Sequence, residues 1–223
     1  MGTARNNEGM GRLSNDEVHA AGLSDWRILA STLHATFETG DFRTGADFVA
    51  GLTELAERAD HHPEVRLSYP RVSVQLSSHD IGGLSERDVN LAREISALAA
   101  DRGISGAPAE LALLELALDT ADPAGVGAFW SAVLTGTPDN VDGDDVIDPR
   151  ERVPLLWLQR TDPHAAPRQR FHLDLWLGRE QVEDRIVAAL AAGGTVVDDS
   201  PETFTVLADP EGNKVCLCVA EGR

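Results

Sequence analysis

The chain is nearly devoid of lysine. Lys214 stands alone against 18 arginines, a bias of the kind GC-rich codons produce and no functional signal in itself. Basic charge of any kind is scarce: 19 Lys and Arg face 37 Asp and Glu, for a net charge of −18. Residues 1–105 hold 10 basic and 16 acidic side chains, and residues 106–223 hold 9 and 21. Neither half offers the positive patch that a phosphate backbone needs, so nucleic-acid binding is not expected. Cysteine is limited to Cys216 and Cys218. Two apart on a strand, they project from one face and cannot easily bridge each other, which excludes a disulfide framework and fits a reducing cytoplasm. No apolar run reaches eighteen residues, and the opening MGTARNNEGMG lacks a signal-peptide core. No membrane association is expected, and residues 1–12 are expected to be disordered.

What is present suffices for two globular units. The 223 residues are 42% hydrophobic and 25% charged, and each half is long enough to bury a core. In the first half, Ser14 and Glu17 read as a capping box opening a short helix. Residues 26–39 read as a hairpin with His34 at the surface. Residues 45–60 read as a helix with Phe48, Leu52, Leu55 and Ala59 on one stripe. The segment 71–79 alternates: Val72, Val74 and Leu76 share one face, and Ser73, Gln75, Ser77 and His79 the other. Gly82-Gly83 breaks the chain, and Ser85 caps a helix reaching about residue 101. Residues 103–109 have linker composition. The second half then reads as a strand at 111–118, a helix at 123–134, an acidic loop at 138–149 and strands near 153–159 and 171–177. A helix at 180–192 and strands near 195–198, 203–207 and 214–219 complete it. That order is two strand–helix–strands modules, without a clear residue-level repeat.

The densest chemistry lies in Asp60-His61-His62-Pro63-Glu64, Tyr69 and Ser78-His79-Asp80. Three of the seven histidines fall in this short stretch. Imidazole titrates near neutral pH, so such a cluster can both donate and accept protons. With Trp26, Phe37, Phe42, Phe48, Gly83-Leu84-Ser85, Asp88 and Leu91-Ala92, this pattern over residues 14–101 resembles the pterin-4a-carbinolamine dehydratase family. The resemblance implies an antiparallel sheet with helices on one face. It also implies dehydration of a 4a-hydroxytetrahydropterin without metal or organic cofactor, and a homodimer. It names His61, His62 and His79 as the active-site trio: His61 and His79 as the acid–base pair, His62 as a pterin binder. Asp60, Pro63, Glu64, Ser78, Asp80 and Asp88 are expected to line the substrate site. Asp88, three residues after Ser85, also reads as the acidic partner of a helix cap.

In the second half, Asp122-Pro123 with Phe129-Trp130, the run RFHLDLWL and the turn Asp209-Pro210-Glu211-Gly212-Asn213 resemble glyoxalase-like members of the vicinal-oxygen-chelate superfamily. The resemblance implies paired βαβββ modules around a cleft, over residues 110–223. Metal-dependent relatives place ligands at four strand positions, which here hold Glu115, the neighbourhood of Trp157, His172 and Cys216. No acidic ligand stands near Trp157 and a cysteine occupies the last place, so no metal is expected. Alternation puts His172, Asp174 and Trp176 on one strand face. Glu115, Trp157, His172, Asp174, Trp176 and Cys216 are expected to line a cleft for a second small-molecule ligand.

The whole chain thus reads as α+β, with a dehydratase-like domain over 13–102 and a glyoxalase-like domain over 110–223. Its leading function is a hydro-lyase. The alternatives are a non-catalytic assembly or small-molecule-binding protein, and a metal-dependent lyase or isomerase in the second half.

Overall fold

The computed structural model describes residues 11–135, 137–150, 153–163, 171–191, 194–208 and 214–220. The turn 209–213 that marks the glyoxalase-like resemblance, and residues 1–10 of the expected disordered start, lie outside them. The chain divides after Leu111 into two compact units, the second built from Ala112–Leu177 and Gln181–Val219. No helix among the described residues is long and apolar enough to cross a membrane.

The first unit opens with α1 (Asn15–Ala20), where Ser14 and Glu17 form the reciprocal capping box. A hairpin follows, β1 (Trp26–Leu29) and β2 (Thr32–Glu38), turned at Ala30 with φ +53°. Helix α2 (Phe42–Ala59) starts earlier than its apolar stripe suggested, because Asp41 caps it by accepting from the Thr44 amide. Its buried residues are Gly45, Phe48, Leu52 and Ala56. The stripe therefore runs at i, i+4, i+8 from Phe48, and Ala59, expected in it, is exposed. Gly45 is where helix meets sheet: a Cβ there would lie 2.6 Å from Leu67 Cδ1 and 3.2 Å from Thr39 Oγ1.

Strands β3 (Glu64–Ser68) and β4 (Arg71–Leu76) then pair antiparallel, and α3 (Glu86–Asp101) packs beside α2 on the sheet. The sheet order is β1-β2-β4-β3. Two expectations are corrected here. β4 ends at Leu76, and His79 is not its last outward residue but opens a 3₁₀ turn, His79–Ile81. Residues 103–109 are not a linker. Ile104 is buried in the first core, and β5 (Ser105–Gly106) adds to the sheet beside Phe37 and Glu38. The core joins the sheet's inner face to α2 and α3 through Phe37, edge-on to Phe48 at 5.2 Å and to Trp26 at 6.1 Å. Trp26 reaches its polar partner, donating its indole N–H to Ser96 Oγ at 3.0 Å, as buried indoles do.

Among the described residues, the second unit is an eight-stranded sheet with two helices. Strand β6 (Ala112–Thr120) leads into α4 (Pro123–Thr135), then into a short hairpin of β7 (Val141–Asp142) and β8 (Asp145–Val146), then β9 (Leu156–Arg160). The acidic stretch is thus a hairpin in part, not only a loop. The second module repeats the order with β10 (Phe171–Leu177), α5 (Arg179–Ala191), β11 (Thr195–Asp198), β12 (Phe204–Ala208) and β13 (Lys214–Cys218). The modules join where β10 pairs β6 antiparallel, in the order β11-β12-β13-β10-β6-β9-β8-β7. Leu116, Leu118, Leu156 and Leu158 pack against α4, and Leu175, Leu177, Leu207 and Leu217 against α5. By period-two alternation the other residues of β6, β9, β10 and β13 share the opposite face.

Candidate active site

In the first unit, three separate segments meet at one carboxylate. Helix α2 is capped by Asp60, which has a left-handed backbone (φ 49°, ψ 41°) and donates its N–H back to the carbonyls of Ala56 and Glu57. The His61 amide also bonds Ala56 O. This turn, ahead of Pro63, drives His61 inward and leaves His62 outside. His61 is 8% exposed, and its Nε2 lies 2.7 Å from Asp88 Oδ1. His62 is exposed, with Nε2 3.3 Å from Glu57 Oε1.

Asp88 is wholly buried. Its Oδ2 accepts from Ser78 Oγ at 2.7 Å, from the Ser85 amide at 2.8 Å and from Ser85 Oγ at 3.0 Å. It therefore closes the capping box of α3, as its spacing from Ser85 implied, and also ties together the end of α2, the chain leaving β4 and the start of α3. Each of these bonds carries a full charge in a dry setting, the condition in which such bonds are strongest. A carboxylate only accepts, so Nε2 is the ring nitrogen that donates to Asp88.

The His79 turn hangs from the same node. Ser78 pairs with Gly83 as an isolated bridge, and its hydroxyl lies 2.8 Å from Ser85 Oγ. Asp80 accepts from Arg87 Nη2 at 2.5 Å. That guanidinium, with a smaller contribution from nearby His61, holds the Asp80 carboxyl below the ordinary range. The turn between β4 and α3 is thus clamped at both ends, with His79 exposed between the clamps.

The predicted substrate-site residues separate into two groups. Asp60, Glu64 and Asp80 are exposed and Pro63 is half-buried, so each has surface to offer. Ser78, at 1%, and Asp88, at 0%, have none. Both were expected to touch substrate; their polar atoms are instead consumed by each other, by Ser85 and by His61. The role of Asp88 was visible in sequence only as a cap, because its partner His61 is 27 residues away. Arg87 was missed; its seven-residue spacing to Asp80 carries no helical signal across the Gly82-Gly83 break. His34, expected at the surface, is half-buried, and its enclosed Nε2 has no hydrogen-bond partner among the described residues. Burial pulls its pKa down to about 4.

In the second unit, the face opposite the helices gathers Glu115, Asp119, Trp157, His172, Asp174, Trp176 and Cys216. Asp174 stands opposite Glu115 on β6 and Cys216 on β13. Trp176 is 4% exposed and donates its indole N–H to Glu115 Oε2. His172 lies between two carboxylates: Nδ1 is 3.5 Å from Asp119 Oδ1 and Nε2 is 3.5 Å from Asp174 Oδ1. Trp157 meets the imidazole edge-on at 6.3 Å. Burial, with Asp174 beside it, pushes the Cys216 thiol up to about 12. Neither cysteine is in a disulfide. Asp119 was missed, although it continues the alternation of Glu115 and Ala117.

Comparison with known proteins agrees with this division. The family described as pterin 4 alpha carbinolamine dehydratase matches residues 11–98, and the glyoxalase-like domain family matches residues 115–218. A Thermosynechococcus vestitus protein named "putative pterin-4-alpha-carbinolamine dehydratase" is 41% identical over 90 residues, which are 40% of this chain and 95% of the relative. A Nitrobacter hamburgensis protein of the same name is 40% identical over 98 residues, 42% of this chain and 97% of the relative. A solved structure from Brucella melitensis, titled as a transcriptional coactivator/pterin dehydratase, is 34% identical. It covers 40% of this chain and 99% of its own, with a TM-score of 0.39. Through its first unit, the chain belongs to the pterin 4 alpha carbinolamine dehydratase family, with a glyoxalase-like domain fused behind it.

Proposed function

We propose that the first unit is a 4a-hydroxytetrahydropterin dehydratase. The reaction expels the 4a-hydroxyl as water and yields the quinonoid dihydropterin. One proton must reach the leaving oxygen and one must leave a ring nitrogen, so the enzyme's net proton count is unchanged. An acid and a base on opposite sides of the substrate suffice, and no redox partner is needed. In this reading His61 and His79 are the acid–base pair. His61 Nδ1 takes the ring proton, while Asp88 stabilises the imidazolium that forms. Exposed His79 delivers the proton to the departing hydroxyl. His62, with Asp60, Pro63, Glu64 and Asp80, holds the pterin. Ser78 and Asp88 act through His61 and the turn.

The observation that carries the proposal is the buried His61–Asp88 pair. A carboxylate with no exposed surface spends its charge on one imidazole and on the loop bearing a second. That arrangement fixes a tautomer and orients it, which a merely structural cap does not require. The proposal extends to the domain roles: a dehydratase in the first unit and a ligand-binding, glyoxalase-like role for the second. It also extends to a homodimer, because β3 ends its sheet among the described residues and presents an edge of the kind that pairing covers. Stopped-flow measurement of carbinolamine dehydration by the full chain tests it. Acceleration proportional to enzyme concentration is expected; a rate equal to the spontaneous one overturns the assignment.

A further inference from the structure

The turn that carries His79 holds two adjacent glycines, and backbone conformation accounts for one of them. Gly82 closes the 3₁₀ turn at φ +60°, the left-handed region that favours glycine. Gly83 is not among the glycines of positive φ, so its conformation does not call for glycine. It is nevertheless buried, although Gly82 beside it is exposed. What lies over Gly83 is the side chain of Arg12. A Cβ built on Gly83 would stand 2.6 Å from Arg12 Nε, 3.0 Å from its Cδ and 3.2 Å from its Cγ. The missing side chain leaves a slot, and the stem of an arginine fills it.

The neighbours of Arg12 aim it into that slot. Leu13 donates its amide to Leu84 O at 2.8 Å, and its side chain packs on the first core. Ser14 then caps α1 through the reciprocal bond with Glu17. Three consecutive residues are thus anchored in three different ways, and they strap this segment across the end of the turn. Gly83 is in turn the backbone partner of Ser78, the residue before His79. The Ser78 amide donates to Gly83 O at 2.8 Å, and the Gly83 amide donates to Ser78 O at 3.4 Å. Asp80 is held from the α3 side by Arg87. The opposite end of the turn, at Gly83, meets Arg12 instead.

We infer that Arg12 is a positioning residue for His79: its stem, seated on Gly83, steadies the turn that aims the imidazole. The inference rests on the reading of His79 as the acid of the dehydration. Two of the three atoms that Arg12 brings to Gly83 are methylene carbons, so the contact works by shape and not by charge. A long unbranched apolar side chain can therefore take its place.

The test uses the full chain and two readouts: steady-state dehydration, and ¹⁵N relaxation of the backbone amides of residues 79–83. Arg12→Ala empties the slot. It is expected to lower kcat about 10-fold with KM nearly unchanged, within the loss of up to about 100-fold that an ångström of misplacement causes. The amides of the turn should gain motion in the same variant, on the picosecond-to-nanosecond scale that relaxation reads. Arg12→Met refills the slot without charge and restores both. Gly83→Ala puts a methyl where Arg12 lies; the exposed arginine swings away, the chain stays folded, and the same loss appears. In the Arg12→Ala background Gly83→Ala adds little, because both changes remove one contact. Far-ultraviolet circular dichroism confirms that each variant is folded. An unchanged kcat in Arg12→Ala overturns the proposal. So does a rise in KM at constant kcat, or failure of Arg12→Met to restore the rate, since either makes the guanidinium a substrate contact. If the wild-type chain does not dehydrate the carbinolamine, the dehydratase reading falls, and the relaxation data alone uphold or overturn the hold of Arg12 on the His79 turn.

Discussion

Replacing Asp88 by asparagine separates its structural role from its chemical one. The asparagine side chain keeps an oxygen where Oδ2 accepts from Ser78 and Ser85, so the node that joins α2, β4 and α3 keeps most of its bonds. The amide NH₂ replaces Oδ1 and meets His61 Nε2 at 2.7 Å. Two donors cannot face each other, so the imidazole must move its proton to Nδ1 and accept at Nε2. The lone pair assigned to proton removal is then gone. General acid–base assistance is worth about 10²- to 10⁴-fold, so Asp88→Asn should slow dehydration by that factor, about 3–5 kcal/mol of barrier.

The accompanying stability loss should be smaller, about 1–3 kcal/mol for weakening one buried bond. By contrast Asp88→Ala strands three donors and the His61 ring, and should cost about 3–5 kcal/mol. Single-turnover stopped-flow gives the rate, urea denaturation gives the stability, and ¹⁵N shifts of the His61 ring give the tautomer. A folded Asp88→Asn protein with an unchanged rate, or an imidazole still protonated at Nε2, would refute the reasoning.

The same fold sets three further outcomes. Burial lowers the His34 pKa from 6.5 to about 4, so the unfolded chain takes up this proton before the folded one. Its contribution is intact above about pH 6.5 and is lost as pH falls toward 4, by up to about 3 kcal/mol; His34→Phe should flatten the difference between urea midpoints at pH 7 and pH 4.5, and an unchanged slope would remove His34 as the cause. Gly45→Ala should destabilise the first unit by about 1–3 kcal/mol, because its Cβ meets Leu67 at 2.6 Å; a neutral urea midpoint would show that the α2 contact yields freely. Light scattering at tens of micromolar, roughly where weak interfaces begin to fail, should give the mass of a dimer, and a monomer there would contradict the edge-pairing argument.

Much of the fold was legible because local signals agreed with tertiary ones. Ser14/Glu17 and Ser85/Asp88 are caps whose partners lie three residues away, and β10 occupies the same residues as the run that carries its alternation. The errors fall where a structure depends on distant partners. β3 alternates only over Glu64–Ser68, between Pro63 and Tyr69-Pro70, and exists because β4 pairs with it. β5 is two residues long and is defined wholly by β2. His79 continued the polar register of β4 on paper, but the Ser78–Gly83 bridge bends the chain before it. The site divides in the same way. Residue types and spacing are enough to propose the histidine cluster. The work of Asp88, the clamp of Arg87 on Asp80, and Asp119 beside His172 required the segments to be brought together. No periodicity encodes a contact between residues 61 and 88.

The central claim is that His61 and His79 move the protons of a dehydration. Its most direct test is the single-turnover rate of 4a-hydroxytetrahydropterin dehydration by His61→Ala and His79→Ala, each shown by circular dichroism to be folded. The account predicts that each falls by about two orders of magnitude or more below the wild-type chain; rates equal to wild type in both variants would contradict it.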